Sequence, residues 1–150
     1  MSSYLLALLV AVVAGSAMAF QGSLNAVLGE KVGLLEATLI VHVVGLLVLG
    51  ALFAFQLGQG GLSEAPGAPW YTFLGGVLGV VIIFTVAAAI PRAGVANATT
   101  AIIVAQLTSA MIIDHCGWFG LQAIPFNWFK GAGLVLLAVG AYLMLGAGTD

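Results

Sequence analysis

The sequence predicts an all-α polytopic membrane protein with five transmembrane helices. Its 150 residues are 63% hydrophobic and only 5% charged, whereas about a quarter of the residues of a soluble domain are charged. The few charges are separated by apolar intervals about as long as the ~20 residues that a spanning helix needs. These intervals are apolar on all sides and do not alternate with polar residues, which favours lipid-immersed helices over strands.

We place the five spans in the apolar intervals between the charges. Together they are predicted to form a single transmembrane domain over residues 1–150. The predicted spans are 4–27, 35–57, 70–90, 94–113 and 129–147. The first has an alternative interpretation, because Ala17-Met18-Ala19 follows an apolar run as a signal-peptide cleavage site does. No Lys or Arg precedes that run and the apolar character continues beyond it, so we interpret it as a span.

The connections between the spans carry the charges and the prolines. Glu30 and Lys31 are expected to form the first turn, and 91–93 to form a tight hairpin between the third and fourth spans. The four prolines are all expected between spans, at Pro66, Pro69, Pro91 and Pro125. The uncharged aromatic segment 115–129 is expected to lie in the headgroup layer.

The orientation of the chain in the membrane is only weakly specified. The three tryptophans, Trp70, Trp118 and Trp128, fall on the same side as the N-terminus and form an aromatic belt there. Lys31 and Arg92 fall on the opposite side and Lys130 on the N-terminal side, so the positive-inside rule gives a slight preference for an outside N-terminus. Such a balance also favours insertion in both orientations, that is, dual topology.

Small residues recur along several predicted helices. A four-residue spacing connects Ala7, Ala11, Gly15, Ala19 and Ser23; a shorter strip contains Gly75 and Gly79, and another Ala101, Ala105 and Ser109. Small residues permit close helix packing in lipid. The strips are expected to pack within the chain or, alternatively, against a partner chain.

Polar side chains at membrane depth are costly and therefore indicate function. Most of them fall on the side opposite the N-terminus, which predicts the mouth of a path that reaches Gln106 near mid-depth. The candidates for binding a solute are Gln21, Asn25, His42, Asn97, Thr99 and Gln106. The candidates for gating or ion coupling are Glu36, His42, Arg92 and Asp114.

Each candidate also has a structural alternative. Gln21, Asn25 and Asn97 could serve no function other than to connect helices by hydrogen bonds. His42 could be a neutral imidazole that donates to a carbonyl; the other interpretation is a proton-linked role, since His titrates near neutrality. Glu36 and Arg92 could be solvated ends or pair with each other, and Asp114 could cap a helix.

Other classes of function lack their signatures. Three scattered cations exclude a nucleic-acid surface. Asp114-His115-Cys116 does not have the spacing of a metal site, and no nucleophile elbow, HExxH pair or phosphate loop is present. We expect no catalytic residues, no metal and no cofactor, and therefore no enzyme.

Five segments together resemble one known family. They are 15–25 (GSAMAFQGSLN), 42–45 (HVVG), 91–96 (PRAGVA), 106–107 (QL) and 113–120 (IDHCGWFG). With them the chain resembles, over nearly its whole length, the five-helix YdcZ-like proteins of the drug/metabolite transporter (DMT) superfamily. The resemblance implies a multi-pass transporter of small solutes, for which we expect the plasma (cytoplasmic) membrane.

The superfamily also suggests how the chain would work. Its larger members contain two inverted five-helix halves, so the resemblance implies that this chain is one half and pairs antiparallel, with itself or with a sister subunit. An inverted repeat places the solute site near midplane, as in alternating access. The four-helix multidrug members carry a glutamate in their first helix where this chain has only Gln21, so His42 or Glu36 would have to couple protons.

The hypothesis is therefore a transporter subunit for a small polar or zwitterionic solute. The alternatives are a non-transporting helical scaffold or accessory subunit, and a narrow channel. The partners that we expect are the solute, the bilayer and a second five-helix chain.

Overall fold

The computed structural model describes residues 3–58 and 60–146, and every long element in it is an α-helix. The helices are α1 (Ser3–Val32), α2 (Leu34–Ala54), α3 (Leu74–Ala93), α4 (Val95–Cys116) and α5 (Trp128–Gly146). Short 3-10 segments cover Gly61–Gly67, Trp70–Phe73 and Trp118–Gly120. Within the described residues five helices are long and apolar enough to cross a membrane. The predicted all-α polytopic fold is confirmed.

The first connection is shorter than predicted. α1 continues through Glu30 and Lys31 to Val32, so the expectation that these two residues form a turn was wrong. Gly33 alone separates α1 from α2, with φ 100 and ψ 148. This backbone region is accessible essentially only to glycine, so one glycine is enough to end one helix and begin the next.

The connection between α3 and α4 repeats this solution. α3 includes Pro91 and Arg92 and ends at Ala93, so the expectation that Pro91 lies between helices was wrong. Gly94, with φ 80 and ψ 157, alone separates the two helices. Pro91 lies in the last turn of α3. A proline at this position interrupts a helix less than one in the middle, because only two helical residues follow it. Pro91 nevertheless lacks the N–H that would donate to the Ala87 carbonyl.

The remaining helix ends differ from the predicted spans by local turns. α2 ends at Ala54, and Gln56 adopts a positive φ of 57 shortly afterwards. α4 continues past the predicted end at 113, so Asp114 lies inside its last turn, and Gly117 follows in the left-handed conformation. Apolarity located the helices, whereas glycines and turns determined where they end.

The chain divides into two compact units, Met1–Arg92 and Ala93–Asp150. In the first unit α1 packs against α2, and in the second α4 packs against α5. A single domain over 1–150 stays a prediction.

The core of the first unit consists mainly of small residues near the Gly33 connection. The buried residues are Gly22, Asn25, Ala26, Gly29, Ala37, Thr38, Ala87 and Ile90. A Cβ on Gly22 would lie 3.0 Å from Val86 Cγ1 and 3.1 Å from Ile90 Cδ1. The missing side chain of Gly22 therefore leaves room on α1 for the Val86 and Ile90 side chains of α3.

Most of the predicted small-residue strips are uncovered in this chain. Ala7, Ala11 and Gly15 are exposed, and a Cβ on Gly15 would meet no described atom within 4 Å. Gly75 is equally open, and the α4 strip of Ala101, Ala105 and Ser109 is exposed. Among the described residues, packing inside each unit therefore does not account for these positions.

Candidate functional site

The two amides of α1 differ in burial although they lie one turn apart. Gln21 is exposed, and Asn25 is 6% exposed. Neither side chain forms a hydrogen bond to any residue in 3–58 or 60–146. Among the described residues, therefore, neither amide connects two helices.

The Asn25 amide nevertheless retains access to open space. The part of the chain that the structure describes contains no fully enclosed side-chain nitrogen or oxygen without a hydrogen-bond partner. Because the Asn25 amide has no such partner, its polar atoms are not fully enclosed. A buried residue thus presents its amide to the surroundings.

His42 is held in one orientation by the helix that carries it. Its Nδ1 lies 2.7 Å from the Thr38 carbonyl oxygen, and because a carbonyl only accepts, Nδ1 must carry the proton and donate it. Thr38 is 2% exposed, and its hydroxyl donates to the Leu34 carbonyl at 2.7 Å. The alternative in which His42 donates to a carbonyl is therefore the geometry that the structure contains.

The second ring nitrogen of His42 points toward α3. A Cβ on Gly79 would lie 3.8 Å from Nε2, so the glycine leaves room beside the ring. No residue within 3–58 or 60–146 forms a hydrogen bond to Nε2. Since Nδ1 is occupied, Nε2 is the ring nitrogen of His42 that stays open to a further hydrogen bond.

An open hollow of about 310 Å³ lies where the ends of α1, α2 and α3 meet. It is lined by Gly29, Glu30, Leu34, Ala87, Ala88, Pro91 and Arg92. Gly29 follows Asn25 by one helical turn and Asn25 follows Gln21 by another, so α1 leads from this hollow to both amides.

The hollow contains one group of each charge. The guanidinium of Arg92 is tethered to its own helix, since Nη1 donates to the Ala88 carbonyl. Glu30 is the acidic residue of the lining. Neither forms an ion pair with a residue that the structure describes, so their charged atoms lie more than 4.0 Å apart.

The alternative in which Glu36 pairs with Arg92 is not what the described residues show. Glu36 lies in the first turn of α2, and its carboxylate occupies the space beside Gly33 that a Cβ would fill. Glu30, which was expected in a turn, is the acidic residue that lines the hollow together with Arg92. The signal in the sequence that Glu30 belongs to α1 was the long apolar run of this helix. When the helix is continued by one more turn beyond Asn25, it includes Glu30.

The other candidates lie on α4 in the second unit. Asn97 and Thr99 are half-buried and Gln106 is exposed. The Asp114 carboxylate forms no hydrogen bond to any described residue, whereas its backbone carbonyl accepts from Ile124 N at 2.7 Å. Among the described residues, therefore, the Asp114 side chain does not cap a helix, which was the alternative interpretation.

The segment after α4 is fixed by a histidine that was not among the candidates. The backbone N–H of Phe126 donates to His115 Nδ1 at 3.2 Å, and Lys130 N donates to Asn127 Oδ1 at 2.8 Å. The aromatic segment is thus folded back onto the end of α4. Within the described residues no three His, Cys, Asp or Glu side chains are grouped to hold a metal ion.

A family model described as "Putative inner membrane exporter, YdcZ" matches residues 6–143. The chain belongs to the YdcZ family. Among curated relatives, the "Inner membrane protein YdcZ" of Escherichia coli (strain K12) is 27% identical over 114 residues, which cover 74% of each chain. No solved structure matches the chain.

Membership of the YdcZ family agrees with the five apolar helices. Together they make the chain an integral membrane protein of an exporter family. The family description favours a membrane transporter over an enzyme.

Proposed function

We propose that this chain is a subunit of a transporter that moves a small polar or zwitterionic solute across the plasma (cytoplasmic) membrane by alternating access. The observation that carries the proposal is the Asn25 amide, which is accessible on an otherwise buried residue and has no hydrogen-bond partner among the described residues. An unsatisfied amide in apolar surroundings costs about 1–3 kcal/mol. A solute that passes beside it would supply the missing partner.

The polar side chains divide into two proposed roles. The residues proposed to bind the solute by hydrogen bonds are Gln21, Asn25, Asn97, Thr99 and Gln106. His42 would add the proton-sensitive contact through Nε2. Glu36, Arg92 and Asp114 are proposed to gate the path or couple an ion. Export is the direction that the description of the family suggests.

The transporter is proposed to be an antiparallel dimer, either of this chain or with a sister five-helix subunit. Support comes from the uncovered strip at Ala7, Ala11 and Gly15, where the α1 surface is smooth and open. Small residues of this kind bring helix backbones together in lipid. Two inverted copies would place the amides of both chains near one midplane.

The proposal is tested by solute counterflow in liposomes. Purified protein is reconstituted with a mixture of amino acids and small neutral sugars inside, and the released solutes are identified by mass spectrometry. Saturable release of one class is expected. Asn25→Leu should reduce it at least about tenfold, the effect of losing a hydrogen bond to the solute, in protein whose helicity matches the wild type.

Ser16→Ala is the matched control. Ser16 is exposed on the same helix, and its hydroxyl donates to the Val12 carbonyl at 3.0 Å, so its removal should leave flux unchanged. Equal flux in Asn25→Leu and Ser16→Ala would contradict the assignment of Asn25. Flux that never saturates would indicate a channel, and no flux of any solute would indicate a scaffold.

A further inference from the structure

The hollow at the ends of α1 and α3 has the features of a binding site for a specific class of ligand. We propose that it binds a zwitterion, a molecule with an ammonium group and a carboxylate or phosphate group. Glu30 would hold the ammonium end and Arg92 the anionic end. The assignment of this hollow as the entrance to the solute path rests on the proposed function, whereas binding itself does not.

The charges of the hollow are opposite and unpaired. Glu30 and Arg92 line the same space of about 310 Å³, yet neither pairs with any residue that the structure describes. Two such groups more than 4.0 Å apart would be bridged by a molecule that carries both complementary charges. A simple anion would meet the Glu30 carboxylate and a simple cation the Arg92 guanidinium, so the zwitterion is favoured over either.

Arg92 is also prepared for an oxyanion. A guanidinium has five N–H donors in a planar fork suited to carboxylate or phosphate. The contact of Nη1 with the Ala88 carbonyl uses part of this set and fixes the side chain along α3. The remaining donors stay available, because no other bond from Arg92 to a described residue is formed.

One residue of the lining has a backbone carbonyl without its usual helical donor. Ala87 lines the hollow, and its carbonyl lacks the usual helical donor because Pro91 has no N–H. This carbonyl would be a further acceptor for an ammonium group. The volume of the hollow lies at the small end of ligand sites, which begin at about 300 Å³, and so suits a ligand no larger than an amino acid or a lipid headgroup.

Binding is measured in nanodiscs of phosphatidylglycerol, a lipid without an ammonium group. The soluble probes are O-phosphoethanolamine and glycine, with ethanolamine and inorganic phosphate as single-charge controls, and the readout is isothermal titration calorimetry. The two zwitterions should bind saturably and more tightly than either control. Absence of saturable binding by both, with no phosphatidylethanolamine retained in native mass spectra, would overturn the proposal.

Substitutions identify the two charged groups. Glu30→Gln and Arg92→Gln should each weaken zwitterion binding at least about tenfold, the effect of losing one charge-assisted contact. Lys31→Gln is the matched control, because Lys31 is charged, exposed and adjacent to Glu30 but does not line the hollow. Unchanged affinity in both Glu30→Gln and Arg92→Gln would overturn the assignment.

Exchanging the two charged residues distinguishes a loss of binding from a loss of folding. Glu30→Arg combined with Arg92→Glu keeps both charges in the hollow, so a zwitterion can bind in the reversed direction, and affinity should recover relative to either single exchange. No recovery in a variant with wild-type helicity would contradict the bridging geometry.

The source of the ligand is distinguished by the lipid. If a lipid headgroup occupies the hollow, nanodiscs containing phosphatidylethanolamine will block the soluble probes and retain that lipid in native mass spectra. If a free solute occupies it, the probes will bind equally in both lipids. Either result supports a zwitterion site.

Failure of this site and failure of the transport function give different results. Binding without counterflow of any solute would keep the zwitterion site and reject the transporter. Normal counterflow in Glu30→Gln and Arg92→Gln, with binding lost in both, would keep the transporter and overturn the placement of the hollow on its path.

Discussion

The contact between α1 and α3 predicts opposite outcomes for two glycines on one helix. Gly15 and Gly22 are seven residues apart and thus lie on nearly the same face of α1. A Cβ on Gly22 would lie 3.0 Å from Val86 and 3.1 Å from Ile90, whereas a Cβ on Gly15 would meet nothing within 4 Å. Gly15→Ala and Gly22→Ala therefore add the same methyl group to an open and to a closed surface.

The expected magnitude follows from these distances. Carbon atoms pack best at about 3.5–4.0 Å, so the Val86 and Ile90 side chains must move by a few tenths of an ångström to admit the new methyl at residue 22. Val86 is β-branched and stiff in a helix, which limits its adjustment. Overpacking of this kind costs about 1–3 kcal/mol. The gain of up to about 1 kcal/mol from Gly to Ala in a helix is common to both variants and cancels in their difference.

The assay is unfolding by SDS titration in detergent, under conditions where the protein is monomeric, followed by far-UV circular dichroism. Gly22→Ala should unfold at a lower SDS fraction than Gly15→Ala, with a difference of about 1–3 kcal/mol. Measuring the monomer is essential, because a partner chain could also contact Gly15. Equal midpoints for the two variants would refute the close packing of α1 against α3.

Three further substitutions test other parts of the structure. Pro91→Ala restores the backbone donor to the Ala87 carbonyl and should raise the free energy of unfolding by up to about 3 kcal/mol; the same titration would show no shift if that carbonyl were already satisfied. His115→Ala removes the acceptor of the Phe126 N–H and should accelerate hydrogen exchange at Phe126; unchanged protection would argue against this contact. Gly15→Leu should weaken the proposed dimer at least tenfold in vesicle cross-linking without lowering monomer stability, and an unaltered dimer fraction would exclude this strip from the interface.

The helices and their approximate positions could be predicted from the sequence, but their ends could not. Apolar length is a local property, so the runs between charges located all five helices. The ends depended on Gly33 and Gly94, whose positive φ values end a helix within one residue. Charges and prolines were expected to mark those ends, and Glu30, Lys31 and Pro91 instead lie inside helices.

The candidate site was only partly accessible to the same reasoning. The polar residues could be found, because any amide or imidazole in an apolar run stands out. Their partners could not, since the direction of a side chain depends on the neighbouring helix. Glu36 lies beside Gly33 at the start of its own helix, whereas Glu30 lines the hollow together with Arg92.

The amino-acid sequence by itself determined that this protein lies in a membrane as five helices, because hydrophobicity and the spacing of charges act along a single segment. Only the tertiary structure decided that Asn25 is buried without a partner among the described residues, that Gly22 is covered by α3, and that Glu30 shares a hollow with Arg92. These features depend on which faces of separate helices meet. Apolar helices with similar surfaces can meet in many ways, and small packing differences between residues far apart in the chain select one of them.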